Sequence, residues 1–251
     1  LSTNDEVMIK AIRGLPHPGE SRILNHDLLT KMLNDLTSHP QNTKIQYIQA
    51  GTSLDALWSW APTSLNDSIN GLVLVKTPGW NLIIDPPFPI DLPSIGQNTS
   101  DFTLLKELLG RPRTIAIILL RLGRYAIGIV ESHRLVVHKT GTRYVHGQHR
   151  AGGQSQRRFE RNREQWITQL FDEVCGLAQK QFRGHRGQID HLAFGGDQHV
   201  ISRFKKRCPF LTEFSNKILR RRIHVEKPGL VSLERAALNL WGSKVYRSPQ
   251  I

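Results

Sequence analysis

The sequence predicts an α/β fold: a mixed sheet with an antiparallel meander, helices on both faces, and an N-terminal α+β extension. Three observations predict it. First, three β-rich runs at residues 114–121, 125–131 and 135–139 follow one another across short turns. Strands joined that closely pair antiparallel, since a parallel return needs a long crossover. Second, a helical stripe, a further strand near residues 189–194, another helix and a last strand come after the meander, which makes the sheet mixed and covers both its faces. Third, the charge changes sign along the chain, which sets the N-terminal extension apart from the rest. Residues 1–100 hold 6 Lys and Arg against 9 Asp and Glu, whereas residues 101–251 hold 28 against 12.

In the first part, Leu24, Leu28, Met32 and Leu36 recur at helical spacing over residues 22–37, and Pro40 marks the end. A strand is expected at 44–49. Runs at 72–75 and 82–84 read as a hairpin around Thr77-Pro78-Gly79. Residues 85–93 then carry four prolines in nine positions, where the charge changes sign. Such a segment reads as a linker, so residues 1–95 are expected to form one region and 96–251 another.

The second part opens with a helix at 102–109. Residues 115–120 are apolar throughout, as in a central strand buried on both faces. Gly123 and Ser132-His133 sit at the turns. Residues 140–154 are a long loop without a core pattern, and such loops in compact domains tend to carry function. A helix is expected from 155 to 182, with Ser155 as its N-cap. Its apolar stripe is Phe159, Trp166, Ile167, Leu170, Phe171, Val174, Leu177 and Ala178. A strand at 189–194 reaches Gly195-Gly196-Asp197, which reads as a tight turn rather than a phosphate loop, and a helix runs through Arg203. Basic residues cluster at 217–222, and a helix near 232–241 closes the chain.

The net charge of +13 and pI near 10.2 call for a polyanionic partner. Two cysteines, Cys175 and Cys208, allow no zinc-type spacing and at most one bridge; Cys175 falls in the helical apolar pattern, and reduced thiols in a cytoplasmic setting fit. No apolar run of membrane-spanning length and no signal peptide is seen, so no membrane partner is expected.

The most informative residues are Ala151-Gly152-Gly153-Gln154-Ser155. Chance alone supplies roughly one or two Gly-Gly pairs in such a chain, and Gly195-Gly196 is a second. The surroundings distinguish the first pair. Residues 141–163 hold six arginines, three glutamines and two histidines against one acid, Glu160. Arginines 157, 158 and 161 in the first turns have the wrong sign for the helix dipole, a placement that suits a bound phosphate.

At this point the chain resembles a known family. His146-Gly-Gln-His-Arg-Ala-Gly-Gly-Gln-Ser-Gln-Arg-Arg-Phe-Glu-Arg-Asn-Arg is similar to the catalytic loop and following helix of archaeal and eukaryotic class I translation release factors. The likeness extends over residues 113–225. It implies an RNase H-like sheet as in that family's middle domain. Residues 1–95 show no Asn-Ile-Lys-Ser codon-reading motif, and no room is left for the family's GTPase-binding third domain. The resemblance is therefore to the ribosome-quality-control branch.

That branch implies stop-codon-independent release of nascent peptide from peptidyl-tRNA on stalled or split large ribosomal subunits. Gly152, Gly153 and Gln154 would be catalytic. His146, His149, Arg150, Arg157, Arg158, Arg161 and Arg163 would hold RNA. The implied partners are large-subunit rRNA and peptidyl-tRNA, with neither DNA nor membrane, no cofactor and no metal, and the protein a monomer off the ribosome. Two alternatives stay open: an endonuclease cutting tRNA near its CCA end, and a non-catalytic ribosome-binding factor. A metal-dependent nuclease would need clustered carboxylates, and its candidates are Glu131, Asp190 and Asp197. His138, His146 and His149 read as RNA-facing loop residues rather than a metal cluster.

Overall fold

Two sheets organise the chain in a computed structural model. The structure describes residues 12–38, 43–51, 60–65, 68–77, 79–90, 98–99, 101–145, 154–219 and 221–249, with backbone alone at 98–99 and 154–156. Two units result: Leu1–Arg111 with Asn239–Ile251, and Pro112–Leu238.

In the first unit the strands are β1 (Ser21–Leu24), β2 (Lys44–Ile48), β3 (Leu72–Lys76), β4 (Asn81–Asp85), β5 (Asn98–Thr99) and β10 (Ser243–Arg247). Their spatial order is β1-β10-β4-β3-β2-β5, and every pair is antiparallel. Helix α1 (His26–Ser38) buries Leu29, Met32, Leu33 and Leu36. Its start is capped by Asn25, whose side-chain oxygen accepts from the Leu28 N–H at 2.9 Å.

The expected division between residues 95 and 96 is corrected in two places. The proline-rich segment is packed: Phe88 is fully buried and lies edge-on to Trp241 at 5.7 Å. The Ile90 N–H donates to the Asn70 carbonyl, and the Asn70 amide donates to the Pro86 carbonyl. Helix α2 (Thr103–Gly110) also belongs to this unit, with the Leu105 N–H donating to the Tyr47 hydroxyl oxygen at 3.1 Å. The last strand does not join the meander. It lies between β1 and β4, with Val245 opposite both Arg22 and Ile84.

In the second unit β6 (Thr114–Arg121), β7 (Arg124–Glu131) and β8 (Arg134–Thr142) form the antiparallel meander, and β9 (His191–Gly196) runs parallel to β6. The spatial order is β8-β7-β6-β9. The β7–β8 turn holds Ser132 and His133 at φ of 45° and 75°, the two positive angles that a two-residue hairpin matching strand twist requires. Helices α3 (Gln154–Phe182), α4 (Gln198–Arg207) and α5 (Leu230–Asn239) complete the unit. Ala116, Ile118 and Leu120 of β6 join Leu170 and Val174 of α3 and Phe204 of α4 in one core. The other face meets α5, where a Cβ on Gly128 would stand 3.3 Å from Leu233 Cδ2. Helices thus cover both faces, as the pattern predicted. Among the described residues no helix is long and apolar enough to cross a membrane.

Cys175 and Cys208 are joined in a disulfide with Cα atoms 5.5 Å apart. Reduced thiols were expected. The bridge ties the last third of α3 to the residue that ends α4, across 33 positions of chain.

One stability prediction belongs here. Burial, with Arg113 nearby, holds the His191 imidazole below the ordinary histidine range. The unfolded chain therefore takes up that proton more readily. The associated stability is complete above about pH 6.5, the unfolded value, and falls as pH drops towards the folded one. Glu173, through its Tyr125 hydrogen bond, and Asp197, through the Val200 N–H, are lowered carboxylates. Their share is present above their unfolded values and is lost at lower pH still. We expect Tm to begin falling below about pH 6.5 and His191→Gln to flatten the upper part of that decline. A thermal melt series in which both proteins decline identically between pH 7 and 5 would refute the assignment.

Candidate functional site

Three strands finish at one end of the second unit's sheet. Arg121 of β6 lies opposite Arg124, Arg124 lies opposite Thr142 of β8, and Leu120 lies beside Gly196 of β9. Open α/β sheets bind ligands beyond the carboxyl ends of their parallel strands. The chain leaves β8 at this end and re-enters the described structure at α3. The segment between carries His146, His149, Arg150, Gly152 and Gly153, all of which lie outside the described residues.

Gln154 is the first residue of α3, one position earlier than the expected loop-to-helix boundary. The first four N–H groups of a helix have no intrahelical partner. The Gln154 amide is one of them, and the helix dipole adds positive potential there. The first turn contains no acid to use that potential. Arg157, Arg158 and Arg161 are exposed, and their spacings of three and four place them on one side of the helix. Among the described residues none of the three has an ion pair. Arg163 is half-buried and is engaged by a neighbour.

Phe159 corrects the expected apolar stripe. It is 55% exposed, Trp166 is half-buried, and full burial begins only at Ile167. The ten described side chains from Arg157 to Trp166, about 15 Å of helix at 1.5 Å per residue, therefore precede the first buried one. The cause is the level at which α3 meets the sheet. Tyr125, at the sheet's end, donates its hydroxyl to Glu173 at 2.7 Å, well down the helix.

That contact is part of a clamp. Arg143, just past β8, donates to Glu173 at 2.5 Å and to Gln169 at 2.9 Å. Gly141 lies opposite Tyr125 across the β7–β8 pair, and a Cβ there would overlap the Tyr125 hydroxyl and the ring carbon bearing it. Glycine thus lets the tyrosine cross the strand to reach α3. Burial first, then the adjacent Glu173 carboxylate, pushes the Tyr125 hydroxyl up to about 12, so it stays a donor. Tyr125, Arg143, Gln169 and Glu173 were not singled out from the sequence. The available signal was a glycine inside a strand, which often marks close approach of another group.

Two further acids of α3 are also paired with arginines. Arg203 of α4 pairs with Glu164, and Arg207 pairs with Asp172 through two bonds of 2.7 and 2.8 Å. The helix is thus held along its lower two thirds, while its first turns, with Arg157, Arg158 and Arg161 against Glu160, keep a net positive charge.

Gly195-Gly196-Asp197 is a turn and cap, as read from the sequence. Gly196 has φ 114°, and the Asp197 carboxylate accepts from the Val200 N–H at 3.0 Å, placing a negative group at the start of α4. His138 stands exposed on β8 rather than in the loop, because the strand continues to Thr142. The three carboxylates weighed for a nuclease do not converge. Glu131 lies opposite Thr114, and Asp190 accepts from the Thr114 N–H, whereas Asp197 follows the other end of β9. Among the described residues no cluster of three or more His, Cys, Asp or Glu could hold a metal ion.

A family model described as the Actinobacteria/chloroflexi VLRF1 release factor matches residues 113–246. Peptide chain release factor subunit 1 of Archaeoglobus fulgidus is 30% identical over 139 residues, covering 55% of this chain and 34% of that protein. The same-named protein of Methanopyrus kandleri is 36% identical over 102 residues, covering 40% and 25%. The chain spans about a third or less of the length of these curated relatives. Among solved structures, the archaeal translation termination factor aRF1 superposes with a TM-score of 0.41 at 16% identity, covering 85% of this chain and 69% of that one. The Vms1 mitochondrial localization core gives 0.41 at 13%, covering 68% and 74%.

Proposed function

The chain belongs to the family described as the Actinobacteria/chloroflexi VLRF1 release factor, and from that premise we propose that it hydrolyses the ester of peptidyl-tRNA on stalled or split large ribosomal subunits, without reading a stop codon. The observation that carries this reading is Gly152-Gly153-Gln154 at the head of a helix whose first turn holds no acid and whose next residues carry the exposed arginines 157, 158 and 161 against Glu160 alone. The second unit supplies the field for an RNA partner, holding 24 Lys and Arg against 10 Asp and Glu, while the first unit is nearly neutral at 10 against 11.

In the proposed step, a water oxygen attacks the ester carbonyl carbon, and the bond to the terminal ribose oxygen breaks. The water's proton passes to that leaving oxygen. Gly152 and Gly153 let the backbone approach the RNA closely. The Gln154 N–H donates to the developing negative charge, as in an oxyanion hole. The Gln154 side chain orients the water and excludes larger nucleophiles; an amide does not titrate near neutral pH, so it is no general base. Arg150, Arg157, Arg158, Arg161 and Arg163 hold phosphates, with His146 and His149 beside them.

The deciding experiment is mass analysis of the tRNA 3′ end after reaction with loaded large subunits. An intact CCA end with free peptide is expected. A tRNA shortened within the CCA end would replace ester hydrolysis by phosphodiester cleavage.

A further inference from the structure

Helix α4 carries two kinds of cation. Arg203 and Arg207, four residues apart, face α3 and are neutralised by Glu164 and Asp172. Lys205, between them in sequence, points elsewhere. Its ammonium sits 4.2 Å from the centre of the Phe194 ring on β9. Arg222 reaches the same region from the other side of β9, since Ile223 bridges Gly195. Its guanidinium donates to the Gln198 side-chain oxygen at 2.6 Å. Both cations are thus oriented by neutral groups, a ring and an amide. Neither has a carboxylate partner among the described residues.

The two also feel each other. Burial first, and then the Arg222 charge, hold the Lys205 ammonium below the ordinary lysine range. The nearby acid is committed: Asp197 caps α4 through the Val200 and His199 N–H groups and lies within the field of Arg121 and His199. Like charges placed together without an anion are unfavourable in the free protein. The arrangement gains when a multivalent oxyanion bridges them, and a phosphate offers enough acceptor oxygens for a planar guanidinium and an ammonium at once.

We propose that Lys205 and Arg222 form a seat for a backbone phosphate of RNA, where the parallel strands β6 and β9 finish. The seat is separate from the arginines on α3 and deepens the function proposed above by adding a second point of RNA contact. Two RNAs could supply the phosphate, large-subunit rRNA and the tRNA body.

The test measures dissociation constants of the full chain for purified large subunits, and separately for deacylated tRNA, between 50 and 200 mM KCl. Lys205→Gln and Arg222→Gln should each lower the slope of log affinity against log salt by about one, and the double variant by about two. Arg203→Gln and Arg207→Gln remove the same formal charge from the same helix, but from paired positions, and should leave the slope unchanged. A drop on subunits alone assigns the seat to rRNA, and a drop on tRNA alone assigns it to tRNA. An unchanged slope on both, or an equal drop in the Arg203 and Arg207 variants, overturns the proposal. A wild-type protein that binds with this dependence yet releases no peptide would sink the hydrolase reading and leave the seat standing.

Discussion

Gly153→Ala is expected to abolish single-turnover peptide release while binding to large subunits persists. The loss expected is on the order of 10²- to 10³-fold, the cost of removing one oriented donor from an oxyanion site. Gly153 immediately precedes Gln154, the first helical residue, so the angles at 153 set the direction of the Gln154 N–H. A methyl group there restricts those angles and adds bulk on the side meant to approach the ribose. In the proposed reading, binding depends instead on many phosphate contacts spread over a strongly basic unit, none of which the substitution removes. The readout is a single-turnover time course beside a sedimentation assay. Full release by the variant would remove Gly153 from the mechanism. Loss of release together with binding would reassign the motif to docking.

Gly141→Ala has the second large effect, and here the structure argues it directly. A Cβ at 141 overlaps both the hydroxyl and the adjoining ring carbon of Tyr125, so the ring must leave its place. Three consequences follow together: the hydrogen bond to Glu173 is lost, Arg143 loses its shared partner geometry, and the β7–β8 pair must part to fit the extra atom. Overpacking of this kind costs about 1–3 kcal/mol, with roughly 1 kcal/mol more for the hydrogen bond. Tyr125→Phe removes only the hydroxyl, so it should cost only about the latter. Combining it with Gly141→Ala should bring no rescue, since the ring carbon still collides. Urea unfolding of the three variants distinguishes these outcomes; equal losses for the single variants would show that glycine at 141 is not needed to admit the ring. The clamp anchors the exit of β8 to α3, so Gly141→Ala should also slow release more than its stability loss explains.

Much of this was legible in the chain. The meander could be read because alternating and continuous apolar runs report strand burial locally. Residues 115–120 are buried throughout, as predicted for a central strand. The long helix ends where its stripe predicts, at Phe182. Phe159 misled because periodicity shows which side of a helix is apolar but not how much of its length meets a sheet. The proline run at 85–93 looked like a linker by composition, yet Phe88 is fully buried. Prolines set backbone angles; burial depends on what packs around them.

The sequence by itself determined the family-type motif at 146–163, the meander, and the concentration of positive charge after residue 100. Each is written in neighbouring residues and is felt within a few positions of chain. Only the tertiary structure decided that β10 enters the N-terminal sheet, that Cys175 meets Cys208, and that Arg203 and Arg207 meet carboxylates while, among the described residues, Lys205 and Arg222 do not. Those outcomes depend on which distant groups share a surface after folding. Coulomb attraction and hydrogen bonding act over a few ångströms of space, whatever the separation in sequence.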